Sequence, residues 1–422
     1  MIAPEHYLTW PEPLEKLARD VEDFILSDIC RRIKQDGYIT ATAEIQLSAL
    51  IDRGWSADAL QQVIAQMVGL SEAELQQLYE KAAQESDRFD QEVYQKLGVK
   101  PERLQDNERL QSEIRAQAKQ TADTFLNLTG SLGFSVNQNG RQTFLPVAKT
   151  YQYILDRAQT EILSGGVSGQ EAIKRAVRDL AASGVKTVSY QSGRVDQLDV
   201  AVRRATVTGL NQIAEAVNEE NVERFESPLV EVSAHGGARD TGSGYQNHKA
   251  WQGKVYYWQQ KDKWGRDDLR RKYPDFVSST GYGKVDGLGG ANCRHSKRVF
   301  VEGVSERMYT QEQLDKIDDP AFTYQGKSYS IYEATQRQRL LERTERKYKR
   351  EILAFEQMGV PRDDPLYQQA AIRLQRVKQE YEDFSAAANL RTQPERARVQ
   401  GFTAGLSSRA RSIANKAESD PA

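Results

Sequence analysis

The sequence predicts a mainly α-helical protein that carries one small α+β module. Long stretches of the 422-residue chain repeat apolar residues at three- and four-residue steps, which is the period of an amphipathic helix. Residues 229–305 interrupt this pattern with many glycines and short β-type runs. Two more apolar stripes follow residue 330 and are separated by a glycine and a proline, which predicts a helical hairpin.

The first 228 residues predict a succession of helices. An apolar stripe over residues 14–33 predicts the first one. Thr40 and Glu44 open a second helix, a third covers residues 56–68, and Ser71 with Glu74 opens a fourth with the spacing of a capping box. We therefore expect short helices joined by tight turns at the start of the chain.

Further helices are predicted over residues 101–130, 150–163, 168–182 and 192–218, and residues 137–140 form a turn. Glycines stand between several of these segments, as they do after helix C-termini. We expect the region up to residue 228 to be almost wholly α.

The rest of the chain divides into three segments. The α+β module covers residues 229–305, with short strands at 229–232 and 254–258. Residues 306–391 predict a charged helical hairpin. Residues 392–422, rich in arginine, serine and alanine, predict a flexible basic tail.

Composition and charge exclude several classes of protein. Charged residues make up 28% of the chain, and no apolar run is long enough to span a membrane. The N-terminus lacks the pattern of a secretory signal, and Cys30 and Cys293 cannot form a disulfide framework. Residues 1–100 carry a net charge of −8, whereas residues 240–300 carry +6. This asymmetry suits a protein that contacts two different partners, one of which is a polyanion.

Three of the four histidines and one of the two cysteines fall between residues 235 and 295. His235, His248, Cys293 and His295 could supply a tetrahedral zinc site, although no pair has the spacing of a zinc finger. Cys293 beside Arg294 could also act as a nucleophile in a hydrolase or transferase.

The interpretation that we favour is architectural: polar side chains brace a small domain with little apolar content, and no cofactor is needed. The predicted structural cluster comprises His235, Arg239, His248, Trp251, Gly253, Tyr282, Asn292, Cys293, Arg294 and His295.

Four motifs of the module occur together in a known order. They are Ser-Ala-His-Gly-Gly-Ala-Arg at 233–239, His-Lys-Ala-Trp-Gln-Gly-Lys at 248–254, Thr-Gly-Tyr-Gly at 280–283 and Gly-Leu-Gly-Gly-Ala-Asn-Cys-Arg-His at 287–295. This combination closely resembles the phage minor capsid protein 2 family of tailed phages and prophages. The N-terminal stretches 28–33 and 37–44 are similar to the same family, so the resemblance spans about residues 14–305.

The resemblance implies a structural minor head protein rather than an enzyme. Such a protein assembles in the bacterial host cytoplasm, enters the virion, and associates with the portal and other capsid or scaffold proteins, with no membrane. The family looks distantly related to the Mu-F type minor head proteins, but the last position of the closing turn is His295 instead of cysteine, and no C-x₂-C pair precedes it. This departure weakens a zinc site borrowed from that group.

The resemblance also implies contact with packaged double-stranded DNA. Basic residues interleaved with aromatic ones could contact phosphates without reading sequence. The candidates are Lys249, Lys254, Lys261, Lys263, Arg270, Arg271, Lys272, Lys297 and Arg298. Two alternatives remain open: an enzyme centred on the histidines and Cys293, and a helical adaptor in which the module is only a spacer.

Overall fold

The computed structural model describes residues 1–35, 71–138, 140–147, 149–150, 153, 156–157, 160–161, 167–188, 195–290, 293–318 and 322–419. The helices predicted at Thr40 and at 56–68 lie outside these residues, as does the predicted site residue Asn292. Over the described part of the chain the fold is mainly helical, with small antiparallel sheets. The predicted fold class is therefore confirmed.

The chain divides into two compact units. The first comprises the described residues within Met1–Leu14, Gly69–Phe125 and Arg203–Thr335. The second comprises those within Glu15–Val68, Leu126–Val202 and Gln336–Ala422. Each unit gathers segments that are distant in sequence, whereas the four predicted segments follow one another along the chain.

A three-stranded antiparallel sheet organises the module in the first unit. Strand Leu229–Val232 lies in the middle and pairs with Val255–Tyr257 on one side and Lys297–Phe300 on the other. The two strands predicted at 229–232 and 254–258 are thus confirmed, and the third was not predicted. All three strands are buried along their whole length, so the sheet is covered on both faces.

Aromatic side chains fill the core around this sheet. The buried ones are Trp251, Tyr256, Tyr257, Trp258 and Phe276. Short helices His248–Trp251, Asp267–Lys272 and Phe276–Thr280 connect the strands. The first unit also contains helices His6–Thr9, Ser71–Arg88 and Gln91–Leu97, and the Ser71 helix begins where its capping spacing predicts. Helix Glu108–Gly130 also begins in this unit.

The second unit contains a sheet in a region predicted to be almost wholly α, and that part of the prediction was wrong. The strand order is Arg141–Pro146, Leu132–Gln138, Lys186–Val188, Val195–Gln197. The predicted turn at 137–140 joins the first two strands, and the amide of Gly140 donates to Oδ1 of Asn137 (2.9 Å). Strands Lys186–Val188 and Val195–Gln197 have three residues each, too few to show a period that the sequence could reveal.

Helices make up the rest of the second unit. Helix Gly169–Ser183 confirms the helix predicted over residues 168–182, and the Ser168 hydroxyl caps it by accepting from the amide of Glu171 (3.2 Å). Helices Ile331–Met358 and Pro365–Ala387 form the predicted antiparallel hairpin. Helix Glu12–Gln35 belongs to this unit from Glu15 on, whereas helix Leu198–Arg224 begins in it and belongs to the first unit from Arg203 on. None of the described helices is long and apolar enough to cross a bilayer.

The C-terminal segment differs from the flexible tail that was predicted. Residues Ala404–Ser419 form a helix whose Ala410 and Ala414 are buried. Val399 and Leu406 pack against Leu353 of the hairpin in one apolar cluster. The small apolar residues among the arginines supply this buried stripe, so the segment packs rather than staying mobile.

Candidate functional site

The middle strand and the edge strand of the module bring two histidines together. The amide of Ser233 donates to the carbonyl of Ser296 (2.9 Å), and the amide of Ser296 donates to the hydroxyl of Ser233 (3.0 Å). This pairing extends the sheet toward His235 and His295, whose rings stack with centroids 4.4 Å apart. The two residues are separated by 60 positions in sequence, and the sheet register makes them neighbours.

A short helix places the third histidine. Helix His248–Trp251 is capped by Asn247, whose side chain accepts from the amide of Ala250 (3.2 Å). The carbonyl of Arg239 accepts from the amide of Lys249 (3.0 Å) and fixes the start of the helix. The His248 ring then lies 5.4 Å from that of His295 and 4.6 Å from that of Trp251.

Cys293 lies between two of these imidazoles. Its Sγ is 3.5 Å from Nδ1 of His295 and 3.8 Å from Nδ1 of His248. The three residues are buried, with exposed fractions of 1–3%. Burial raises the pKa of the Cys293 thiol and lowers the pKa of both imidazoles. We therefore expect a neutral thiol facing two neutral rings.

The outer nitrogens of these two rings fix their tautomers. Nε2 of His248 donates to the carbonyl of Asp286 (2.9 Å), because a carbonyl oxygen can only accept. Nε2 of His295 lies 3.0 Å from Oε1 of Gln252, which also accepts from the amide of His235 (3.1 Å). Each Nδ1 therefore presents a lone pair toward the sulfur of Cys293.

His235 belongs to the cluster in a different way. Its Nδ1 lies 3.0 Å from Nη2 of Arg294 and 2.9 Å from the carbonyl of Gly236, and Nη2 also lies 3.4 Å from the carbonyls of Gly236 and Gly237. Burial and the Arg294 charge lower the pKa of His235 to about 3, so the ring is neutral. Arg294 thus braces the turn that carries His235.

The other predicted cluster residues take several roles. Nη1 of Arg239 donates to the carbonyl of Asp286 (3.3 Å), and Nε1 of Trp251 donates to that of Tyr245 (2.8 Å). Gly253 has a positive φ of 68° beside Leu314. Tyr282 packs on Trp258 and Phe276 in the aromatic core instead of on the histidines.

Comparison with known proteins decides the family. The family model for phage minor capsid protein 2 matches residues 2–386. The chain belongs to this family. The match extends past residue 305, where the sequence resemblance ended, and includes the predicted hairpin.

A curated relative of this minor capsid protein is also a phage protein. The chain is similar to a "Structural protein" of Lactococcus phage LL-H, with 25% identity over 254 residues. The aligned region covers 58% of the chain and 62% of that relative, so less than two thirds of the relative is matched. No solved structure matches the chain significantly.

The predicted DNA-facing residues of this minor capsid protein have unequal access to solvent. Lys297 and Arg298 are buried and paired with Glu215 and Glu231, which removes them from any phosphate contact in this fold. The partly exposed lysines at 249, 261, 263 and 272 each contact a carboxylate. Arg270 and Arg271 are exposed, and no carboxylate in the described chain forms an ion pair with them.

Two site residues of this minor capsid protein escaped the sequence analysis. Gln252 links His235 to His295, but a lone glutamine between tryptophan and glycine gives no sign of such a role. Glu231 is fully buried and accepts from Arg298 (2.8 Å), Arg307 (3.0 Å) and the amide of Met308 (2.9 Å). A carboxylate inside the apolar run Leu-Val-Glu-Val was the available signal, because buried charges need partners.

Proposed function

We propose that this minor capsid protein is a structural component of the virion that docks on the portal and adjacent capsid proteins, without catalytic activity. Family membership supports the place in the phage head. The observation that carries the non-enzymatic role is the burial of the histidine and cysteine cluster inside the module.

A nucleophile or general base has to reach its substrate. His248, Cys293 and His295 expose no more than 3% of their surface, and the outer nitrogens of the two rings are engaged by the module itself. A raised thiol pKa also opposes the thiolate that nucleophilic catalysis uses. These features favour a structural role, in which the cluster braces the fold, over a catalytic role in a hydrolase or transferase.

The first unit offers an acidic surface for a protein partner. An open cleft of about 640 Å³ is lined by five acidic and two basic side chains. They are Glu102, Asp106, Glu108, Glu220, Glu223, Arg109 and Arg224. Such a surface repels DNA and favours a basic protein segment, so we assign this face to portal or scaffold contact.

Imaging of purified particles tests this proposal. We expect mass spectrometry to detect the chain in particles of the encoding phage, and cryo-electron microscopy to locate it at the portal vertex. Glu220→Lys combined with Glu223→Lys should lower its incorporation, whereas Glu72→Lys, on an exposed residue outside the cleft, should not. Absence of the chain from particles, or an even distribution over the shell, would overturn the proposal.

Contact with packaged DNA is a second, narrower proposal. It is supported by the exposed pair Arg270 and Arg271, near the C-terminal end of helix Asp267–Lys272, together with Lys254. Three cations can add a modest, sequence-independent and salt-sensitive attraction to phosphates. This contact would supplement docking on protein partners.

A further inference from the structure

We propose that Nδ1 of His248, Sγ of Cys293 and Nδ1 of His295 together bind one transition-metal ion, for which zinc is the best match. The three atoms lie within 4.8 Å of one another in the core of the module. This inference is independent of the proposed docking role, because it concerns the interior of the module.

The two sulfur-to-nitrogen distances match a tetrahedral zinc site. Zn–S bonds of ~2.3 Å and Zn–N bonds of ~2.0–2.1 Å at tetrahedral angles place sulfur and nitrogen ~3.5 Å apart. The structure gives 3.5 Å from Cys293 to His295 and 3.8 Å from Cys293 to His248. The two Nδ1 atoms lie within 4.8 Å of each other, so one ring has to move by roughly 1 Å to reach the ~3.3 Å that a tetrahedral site requires.

The hydrogen-bonding capacity of the cluster also indicates a cation. Both Nδ1 atoms present lone pairs to one thiol, and a thiol has a single hydrogen to donate. One buried acceptor therefore stays unsatisfied, which is costly away from water. A metal ion accepts all three donor atoms, and the thiol proton passes to solvent as the thiolate forms.

The surroundings hold both rings in the orientation that a metal requires. Metal-binding histidines commonly donate their other N–H to a carbonyl or a carboxylate, which fixes the tautomer. His248 donates to the carbonyl of Asp286 and His295 to the amide oxygen of Gln252.

The third histidine of the predicted zinc set, His235, is not among the three side chains whose ligand atoms come together. Its Nδ1 lies 3.0 Å from Nη2 of Arg294, whose charge opposes a nearby cation. The set is therefore two histidines and one cysteine, which leaves one coordination position for a water molecule or another small ligand. This composition also explains why no zinc-finger spacing is visible in the sequence.

Metal analysis of the full-length chain tests the proposal. The protein is purified without a polyhistidine tag, and we expect about one zinc per chain by elemental mass spectrometry. Replacement of zinc by Co²⁺ should give a thiolate-to-cobalt charge-transfer band and the visible absorption of a tetrahedral site. Cys293→Ser should abolish the charge-transfer band, and Gln252→Ala should weaken metal affinity about 10–100-fold.

Two matched variants make the result specific. His235→Gln and Cys30→Ala should keep both the zinc and the cobalt band, because neither side chain belongs to the set. If Cys293→Ser fails to fold, the cobalt spectrum of the unaltered chain still reports thiolate ligation. A chain that takes up neither zinc nor cobalt, or a folded Cys293→Ser that keeps the band, would overturn the proposal.

Discussion

The ammonium of Lys297 in the module contacts the carboxylate of Glu215 on helix Leu198–Arg224, and the lysine side chain is only 2% exposed. Three aromatic rings surround the ammonium, with centroids 4.4 Å away for Tyr282, 4.6 Å for Trp258 and 5.4 Å for Phe276. A desolvated cation over aromatic faces is stabilised by their quadrupoles. Lys297, which the sequence analysis named as a DNA-contacting residue, therefore stabilises the core instead.

Lys297→Met should lower the free energy of unfolding by about 3–5 kcal/mol, because it leaves Glu215 without its cation. Lys261→Met is the matched control. Lys261 also contacts a carboxylate and the Trp258 ring, but it is partly exposed, so we expect a loss of about 1 kcal/mol or less. Urea unfolding measures both values, and equal losses would contradict the structural role of Lys297.

Arg270→Ala combined with Arg271→Ala should weaken DNA binding with little effect on stability, because both side chains are exposed. Loss of two phosphate contacts should reduce the slope of log affinity against log salt by about 2. Lys249→Ala is the control, since Asp318 already neutralises that lysine (2.8 Å). Wild-type binding that does not respond to salt would refute a phosphate contact.

The sequence predicts best where a pattern is long. Helix Glu12–Gln35 and the hairpin of Ile331–Met358 and Pro365–Ala387 each span many turns, so their apolar stripes are unambiguous. Gathering of the histidines and Cys293 was also predicted, because a small domain with few apolar residues needs polar bracing. In the structure, Nη2 of Arg294 lies 3.0 Å from Nδ1 of His235.

The sequence could not predict which residues form ion pairs when they are far apart in the chain. Lys297 and Arg298 look like surface cations, yet their carboxylate partners lie 82 and 67 positions earlier in the chain. Adjacent residues in a strand point to opposite faces, so one basic pair meets two different acids. Only the sheet register, which pairs Glu231 with Arg298, reveals this arrangement.

Glu351→Gln should make the stability of the second unit less dependent on pH. Burial raises the pKa of Glu351 to about 7, and Lys347 and Arg178 only partly oppose that shift. Since the folded-state pKa exceeds the ordinary value of 4.5, the stabilising contribution is complete below pH 4.5 and is lost as pH rises through about 7.

Urea midpoints measured between about pH 5 and pH 8 test this expectation. The wild-type chain should lose stability over that interval more steeply than Glu351→Gln. Glu382→Gln, on an exposed residue of the hairpin, should follow the wild type. Parallel curves for wild type and Glu351→Gln would show that this carboxyl is not the titrating group.

Gly253→Ala should destabilise the module more than Gly265→Ala, although both glycines have a positive φ, 68° and 65° respectively. An alanine at either position adopts a disfavoured left-handed conformation, which costs about 1–2 kcal/mol. At Gly253 the new Cβ would also stand 2.3 Å from Cδ2 of Leu314, whereas nothing lies within 4 Å at Gly265. The structural shifts that remove this overlap should raise the cost of Gly253→Ala by a further amount of about 1–3 kcal/mol.

A double-mutant cycle with Leu314→Ala isolates the overlap from the backbone strain. Removing the leucine methyl groups gives the new Cβ room, so the cost of Gly253→Ala should be smaller in the Leu314→Ala background. The cost of Gly265→Ala should be the same in both backgrounds, because its surroundings do not change. Free energies from urea unfolding supply all the required values. An identical cost for Gly253→Ala with and without Leu314 would mean that backbone strain alone requires glycine here.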